Sequence, residues 1–142
     1  MTDYLDPTKE TFATFRALDR EGPIHMLNLV KLRPYAVYPD GRAATGREAY
    51  RSYARESGPV FQRLGGRQVW LGAFETMLIG PQEREQWDLG FIAEYPNVQA
   101  FVEMIRDPAY REAVKHRQAA VADSRLIRFK PAAAGATFGE AV

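Results

Sequence analysis

The 142-residue chain contains no cysteine. This absence excludes a disulfide framework, a thiolate zinc site, an iron–sulfur cluster and a cysteine nucleophile. No apolar run approaches the roughly 20 residues that a membrane span needs, and the first residues lack the basic and apolar regions of a signal peptide. We therefore expect a cytoplasmic protein with neither a membrane segment nor a secretion signal.

An excess of charge of one sign is also missing. The chain has 19 basic and 18 acidic residues interspersed along its length, which gives a formal net charge of +1. Nucleic-acid binding needs a basic patch or stripe, so no nucleic-acid partner is expected. The glycine-rich phosphate loop, the G-x-G-x-x-G and G-x-S-x-G patterns and the H-x-x-x-H spacing are absent as well, so neither a cofactor nor a metal is predicted.

What the chain does contain is the composition of one folded globule, with 46% hydrophobic and 12% aromatic residues. We predict a single domain with an N-terminal helix extension over residues 1–22, a ferredoxin-like core over residues 24–130 and a loose tail over residues 131–142. The core patterns follow the order strand, helix, strand, strand, helix, strand. This order predicts an α+β fold with a βαββαβ antiparallel sheet.

Apolar periodicity and capping signals give the predicted elements their bounds. The predicted helices cover residues 8–20, 45–64 and 97–123, with a kink or split at Gly58-Pro59 in the second and a new cap at Asp107-Pro108 in the third. The predicted strands cover residues 24–32, 67–79, 87–95 and 125–130. The first strand is apolar on both faces, which predicts a central position in the sheet.

The predicted sheet carries more apolar surface than its own helices can cover. Helices cover one face of such a sheet, yet large hydrophobic residues fall on both sides of the strands, for example Leu27 and Leu29 opposite Met26 and Val30. An apolar sheet face without cover from its own chain predicts a partner. We therefore expect a homodimer formed through the open sheet face.

Seven short segments between His25 and Ile127 carry a family resemblance. They are Met26-Leu27-Asn28-Leu29, Thr45-Gly46-Arg47-Glu48-Ala49-Tyr50, Gly65-Gly66-Arg67, Trp87-Asp88, Glu94-Tyr95-Pro96, Asp107-Pro108-Ala109-Tyr110 and His116-Arg117-Gln118-Ala119-Ala120. Together they resemble the domain-of-unknown-function 1330 family of the dimeric α/β barrel superfamily. The resemblance implies two sheets packed face to face and implies no reaction. Relatives by fold include cofactor-independent monooxygenases, muconolactone isomerases and haem-binding peroxidases or dismutases.

A charged residue falls on the apolar stripe of the last predicted helix. Arg117 shares that stripe with Tyr110, Val114 and Val121, and a charge there needs a partner or a ligand. Glu94, near the end of the third strand, is the expected counter-ion. Two interpretations stay open: a structural ion pair, or an arginine that clamps an anionic substrate.

Other candidates are expected to face the same pocket between sheet and helices. Asn28 interrupts the apolar side of the first strand, where its amide either orients a ligand or bonds to a neighbouring backbone group. Tyr50 and Tyr53 point inward from the second helix and either present hydroxyls or pack in the core. His25 and His116 are the only histidines and hence the candidate general bases, although His116 is expected on a surface flank.

Three functions therefore stay open, and the sequence does not decide whether the protein is an enzyme. The first is a homodimer with a small-molecule pocket between sheet and helices and no identifiable catalytic motif. The second is a cofactor-independent monooxygenase or isomerase acting on an aromatic or enolisable anionic metabolite, with Asn28 and a tyrosine polarising the substrate and Arg117 holding its anion. The third is haem binding, for which His116 is the only helical candidate ligand.

Overall fold

The computed structural model describes residues 3–141. Its elements are α1 (Lys9–Ala17), β1 (Ile24–Leu32), α2 (Gly46–Arg63), β2 (Arg67–Ala73), β3 (Leu89–Tyr95), α3 (Val98–Arg106), α4 (Pro108–Ala120), β4 (Val121–Phe129) and a short 3-10 helix, Phe138–Ala141. The four strands form one antiparallel sheet in the order β2-β3-β1-β4. The predicted βαββαβ order and the central position of the first strand are confirmed. Residues 1, 2 and 142 of the predicted extension and tail lie outside the described part of the chain.

Local polar signals start the helices where the sequence predicts them. Thr8 opens α1 and Thr45 opens α2, each through a capping box that satisfies free backbone donors at the helix start. Asn97 and Asp107 accept backbone hydrogen bonds at the starts of α3 and α4. The predicted split at Gly58-Pro59 does not occur: α2 continues through Pro59, because buried neighbours on both sides hold its last turns against the core.

Several predicted boundaries are wrong, including the end of the first helix, which lies at Ala17 and not at residue 20. The strand predicted over residues 67–79 ends at Ala73, and the one predicted to begin at Trp87 begins at Leu89, because the apolar residues beyond Ala73 find no partner strand; Leu78 and Ile79 are 88% and 90% exposed. The last helix ends at Ala120, three residues before its predicted end at residue 123. β4 begins at Val121, four residues before its predicted start at residue 125. Pairing with Leu32 of β1 places Val121 in the sheet.

The helices cover one face of the sheet with two apolar clusters. The upper cluster includes Ile24, Met26, Val60, Ala93, Tyr95, Phe101, Met104 and Tyr110, with the α1 residues Phe12 and Phe15 packed against it. The lower cluster consists of Val30, Tyr38, Ala49, Ala119, Ala120 and Val121, with Leu5 packed against it. Phe91 of β3 contacts both clusters. The interior is therefore divided in two, with Phe91 at the boundary.

No helix within residues 3–141 lies over the other face of the sheet, here called the open face. The strand register places Leu27, Leu29, Ile92, Trp70, Ile127 and Phe129 on this face. Trp70 and Phe129 are each about half exposed. The sequence-based expectation of apolar residues on a sheet face that the helices leave uncovered is thus met. Among the described residues, no helix has the length and apolar character needed to span a bilayer.

Candidate functional site

A band of polar side chains lies where the upper and lower clusters meet. On β1, Asn28 stands between Met26 of the upper cluster and Val30 of the lower cluster. On α2, Tyr53 packs against the upper cluster and Tyr50 against the lower. We call this band the polar seam, and its members are Asn28, Tyr50, Tyr53, Tyr110 and Arg117.

The tyrosines of the polar seam supply hydroxyl groups in an otherwise apolar interior. The Oη atoms of Tyr53 and Tyr110 are 2.9 Å apart and form a hydrogen bond. The Tyr50 ring lies 5.4 Å from that of Tyr53, but the Tyr50 hydroxyl makes no hydrogen bond to any residue between 3 and 141. Burial raises the pKa of Tyr50 and of Tyr110, and the charge of Arg117 opposes that rise in both. These hydroxyls are therefore neutral donors close to a guanidinium.

Arg117 carries the positive charge of the seam, and its partners differ from those predicted. Its guanidinium donates to the Leu5 carbonyl and, over 3.0 Å, to Ser124 Oγ. The only carboxylate within 4.0 Å in the described chain is that of Asp6, at 3.9 Å. The expected pairing with Glu94 is wrong. A guanidinium has five N–H donors, so two neutral acceptors and one distant carboxylate leave much of its charge uncompensated.

Glu94 and His25 lie on the open face and not in the seam. Strand alternation accounts for this, because Ala93 and Tyr95 face the helices and Glu94 between them faces away. His25 Nε2 is 2.7 Å from Glu94 Oε2, and Arg67 Nε donates to Glu94 Oε1 over 2.7 Å. Hydrogen bonds from Arg67 and His25 lower the pKa of Glu94. His25, Glu94 and Arg67 therefore form a hydrogen-bonded cluster, here called the ion cluster, at one end of the open face.

Asn28 is the sheet-side member of the seam. Its Nδ2 donates to the Met26 carbonyl over 3.0 Å, which is the local backbone bond that the sequence left open as an alternative. Its amide oxygen accepts no hydrogen bond from the described residues. Leu126 of β4 pairs with Asn28, so both side chains lie on the helix-covered face, and Leu126 is 42% exposed. Solvent therefore reaches the row of the sheet that carries Asn28.

His116 belongs to a second polar group that the sequence did not reveal. Tyr38 Oη lies 2.7 Å from His116 Nδ1, and His116 Nε2 lies 2.9 Å from Glu56 Oε2. The histidine side chain is mostly buried, contrary to the expected surface position. The three residues come from the loop before α2, from α2 and from α4, so no sequence spacing links them. Because both ring nitrogens of His116 have partners, it has no free nitrogen with which to ligate haem iron.

The surface also carries two grooves. One groove of about 440 Å³ runs between α1 and α3, and another of about 480 Å³ lies beside Tyr4, Glu85 and Arg125. Both are open and lie outside the seam. Within residues 3–141, no group of three or more histidine and acidic side chains is placed to hold a metal ion.

Comparison with known proteins decides the family. The family described as "Domain of unknown function (DUF1330)" matches residues 42–129. This chain belongs to that family. The DUF1330 chain is also similar to the RPA0582 protein of Rhodopseudomonas palustris, a protein of unknown function. The two are 73% identical over 92% of this chain and 98% of that chain, and the TM-score is 0.88.

More distant structures share the fold alone. One is a dimeric protein of unknown function with a ferredoxin-like fold from Bacteroides fragilis, 14% identical over 78% of this chain and 97% of that chain, with a TM-score of 0.51. Another is SnoaB, a cofactor-independent oxygenase from Streptomyces nogalater, 16% identical over 78% and 94%, with a TM-score of 0.50. No curated protein matches the DUF1330 chain. The predicted family and the ferredoxin-like α+β fold are confirmed.

Proposed function

We propose that this DUF1330 protein binds a small anionic organic molecule in the polar seam. The observation that carries the proposal is the mostly buried guanidinium of Arg117, which has neutral acceptors at hydrogen-bond distance and, among residues 3–141, a single carboxylate within 4.0 Å, at 3.9 Å. The Arg117 side chain is only 13% exposed, so an anion that pairs with it gains a charge-assisted hydrogen bond in a partly desolvated setting.

The neighbours of Arg117 favour an anion with an organic body. The Tyr50 hydroxyl, kept neutral by its raised pKa, is a second donor, and the amide oxygen of Asn28 can accept a hydrogen bond from a ligand hydroxyl; neither atom has a hydrogen-bond partner within residues 3–141. Phe91 supplies an aromatic wall between the two clusters. A few convergent polar groups in an apolar site are typical of small-molecule pockets.

Isothermal titration calorimetry with benzoate, octanoate, phenyl phosphate and the neutral benzamide tests the proposal. We expect at least one anion to bind with 1:1 stoichiometry and benzamide not to bind. Arg117→Gln should weaken that binding about tenfold or more. The matched control is Arg111→Gln, which removes an exposed arginine from the same helix and should leave the affinity unchanged. If Arg117→Gln lowers stability yet keeps the full affinity, the proposal is wrong.

We propose further that the protein acts as a homodimer joined through the open face, in the cytoplasm. The apolar residues of that face support the dimer, and a chain without cysteine suits a reducing compartment. Two neighbours on β4 offer a matched test: Ile127 faces the open side and Leu126 the helix side, and both are 42% exposed. Light scattering should find monomers for Ile127→Glu and dimers for Leu126→Glu. Monomeric wild-type protein would contradict the dimer.

A second candidate function is acid–base catalysis without a cofactor, and the group formed by Glu56, His116 and Tyr38 favours it. Glu56 Oε2 lies 2.9 Å from His116 Nε2 and the Tyr38 hydroxyl lies 2.7 Å from Nδ1, so a substrate proton would reach the imidazole by way of the Tyr38 hydroxyl. NMR should then show faster exchange of the α-protons of 2-oxo acids with deuterium, lost in His116→Gln. Exchange at the buffer rate for a bound 2-oxo acid excludes this candidate.

A further inference from the structure

The segment formed by residues 4–6, here called the N-terminal strap, lies against the polar seam. The Tyr4 amide donates to Asp123 Oδ1 over 2.9 Å, and Ser124 Oγ donates to the Tyr4 carbonyl over 2.7 Å. The next carbonyl, that of Leu5, accepts from Arg117. The strap is therefore attached to β4 by Tyr4 and to α4 by Leu5, more than 100 residues away in sequence.

Leu5 and Asp6 present a particular chemistry to the seam. The Leu5 side chain packs against the lower cluster, as Tyr50 and Phe91 also do. The Leu5 carbonyl oxygen accepts a hydrogen bond from Arg117. The Asp6 carboxylate lies 3.9 Å from the same guanidinium, at the limit for an ion pair, and is about half exposed. An apolar side chain beside an oxygen acceptor and a single negative charge has the features of an apolar monocarboxylate.

The strap binds Arg117 more weakly than the carboxylate of a free ligand would. The Leu5 carbonyl offers Arg117 a single uncharged acceptor atom, whereas a carboxylate accepts a bidentate, charge-assisted pair from a guanidinium. The partly exposed Asp6 contributes little at its distance, and its other contact is a hydrogen bond of 3.5 Å from Gln118. A ligand with a carboxylate head therefore competes for Arg117 on favourable terms.

We infer that the N-terminal strap is a resident and displaceable occupant of the ligand site, and that the ligand is an apolar monocarboxylate. Its carboxylate takes the place of the Leu5 carbonyl on Arg117, and its hydrocarbon part takes the place of the Leu5 side chain. The inference rests on the proposed function of the seam. A single guanidinium with neutral hydroxyls around it balances one negative charge, so a dianionic phosphate ester fits less well.

The absence of cysteine from the chain makes the displacement measurable. A Leu5→Cys variant carries a single thiol in the strap, and its rate of reaction with Ellman's reagent reports how often the strap leaves the site. We expect octanoate to raise that rate about tenfold at saturation, because the open state then dominates. Octanamide, which has no charge, should leave the rate unchanged. The matched control is Ala44→Cys, a partly buried position that packs against the same lower cluster but lies outside the strap.

Leu5→Ala gives a second measurement that does not need the thiol. A shorter side chain weakens the strap, so the affinity for octanoate should rise about threefold to tenfold even if the melting temperature falls. A purely structural strap predicts lower stability with no gain in affinity. That result, or octanoate binding without a change in the reactivity of Leu5→Cys, overturns the inference while the proposed function stands. Binding of phenyl phosphate but not octanoate overturns the ligand class alone. Failure of every anion to bind overturns both.

Discussion

Arg117 and Arg125 are buried to a similar extent, with 13% and 21% of their side chains exposed, but they lie on opposite faces of the sheet and differ in their partners. On the open face, Arg125 pairs with Asp123 at 2.9 Å and with Glu85 at 2.7 Å. Its guanidinium also lies over the rings of Tyr4 and Trp87. On the helix-covered face, Arg117 has a carbonyl and a hydroxyl as its hydrogen-bond acceptors.

The two arginines therefore differ in how fully neighbouring groups compensate their charge. Two carboxylates and two aromatic rings compensate Arg125, so a ligand anion would have to displace built-in partners. Among the described residues, Arg117 has no carboxylate at hydrogen-bond distance, so under our proposal an incoming anion supplies the missing charge compensation. Similar burial thus has opposite functional meaning, because compensation by neighbouring charges and not burial alone decides what a charged side chain can do.

The largest expected effect is the difference in stability between variants that lose Arg125 and variants that lose Arg117. Arg125→Gln leaves the buried carboxylate of Asp123 without its guanidinium, and breaking such a pair should lower the free energy of unfolding by about 3–5 kcal/mol. Arg117→Gln removes hydrogen bonds to neutral acceptors and should cost about 1–2 kcal/mol. Urea unfolding of both variants measures the difference. Equal losses would show that Arg117 is as structural as Arg125.

A smaller effect concerns pH and the ion cluster at the other end of the open face. The guanidinium of Arg67 and the ring of His25 lower the pKa of Glu94 below its ordinary value of 4.5. A lowered folded-state pKa stabilises the fold above pH 4.5, and this contribution disappears as the pH falls through the lowered value. Wild-type protein should therefore exceed Glu94→Gln in stability by about 1 kcal/mol at pH 7 and match it near pH 2. A difference that persists at pH 2 would contradict the assignment.

The smallest effect on stability is expected in the polar seam, where the Tyr53 hydroxyl is hydrogen-bonded to Tyr110 and the Tyr50 hydroxyl has no partner among the described residues. Tyr50→Phe removes a hydroxyl that has no partner among the described residues, so the free energy of unfolding should change by less than about 0.5 kcal/mol. Tyr53→Phe removes a bond to Tyr110 and should cost about 1 kcal/mol. Calorimetry should nevertheless show weaker anion binding for Tyr50→Phe. An unchanged affinity would remove Tyr50 from the site.

Part of the candidate site followed from local pattern alone. Periodicity placed Asn28 on the inner side of β1, and the stripe of α4 placed Arg117 toward the core, because strand and helix repeats fix which face a residue occupies. The same alternation rule places Glu94 opposite Ala93 and Tyr95, so its position on the open face was predictable in principle. Tyr38 and Glu56 gave no comparable signal, since they meet His116 only when three separate elements pack together.

The α+β class, the strand order and the apolar open face could be predicted from the amino-acid sequence, because capping, periodicity and hydrophobic burial act locally or depend on composition; the family followed from the resemblance of short segments. The partners of each buried charge could not be predicted in this way. Arg117 meets Leu5 and Ser124 instead of Glu94, since hydrogen-bond partners depend on distances between elements far apart in sequence. The same long-range packing divides the core into two clusters and leaves the polar seam between them.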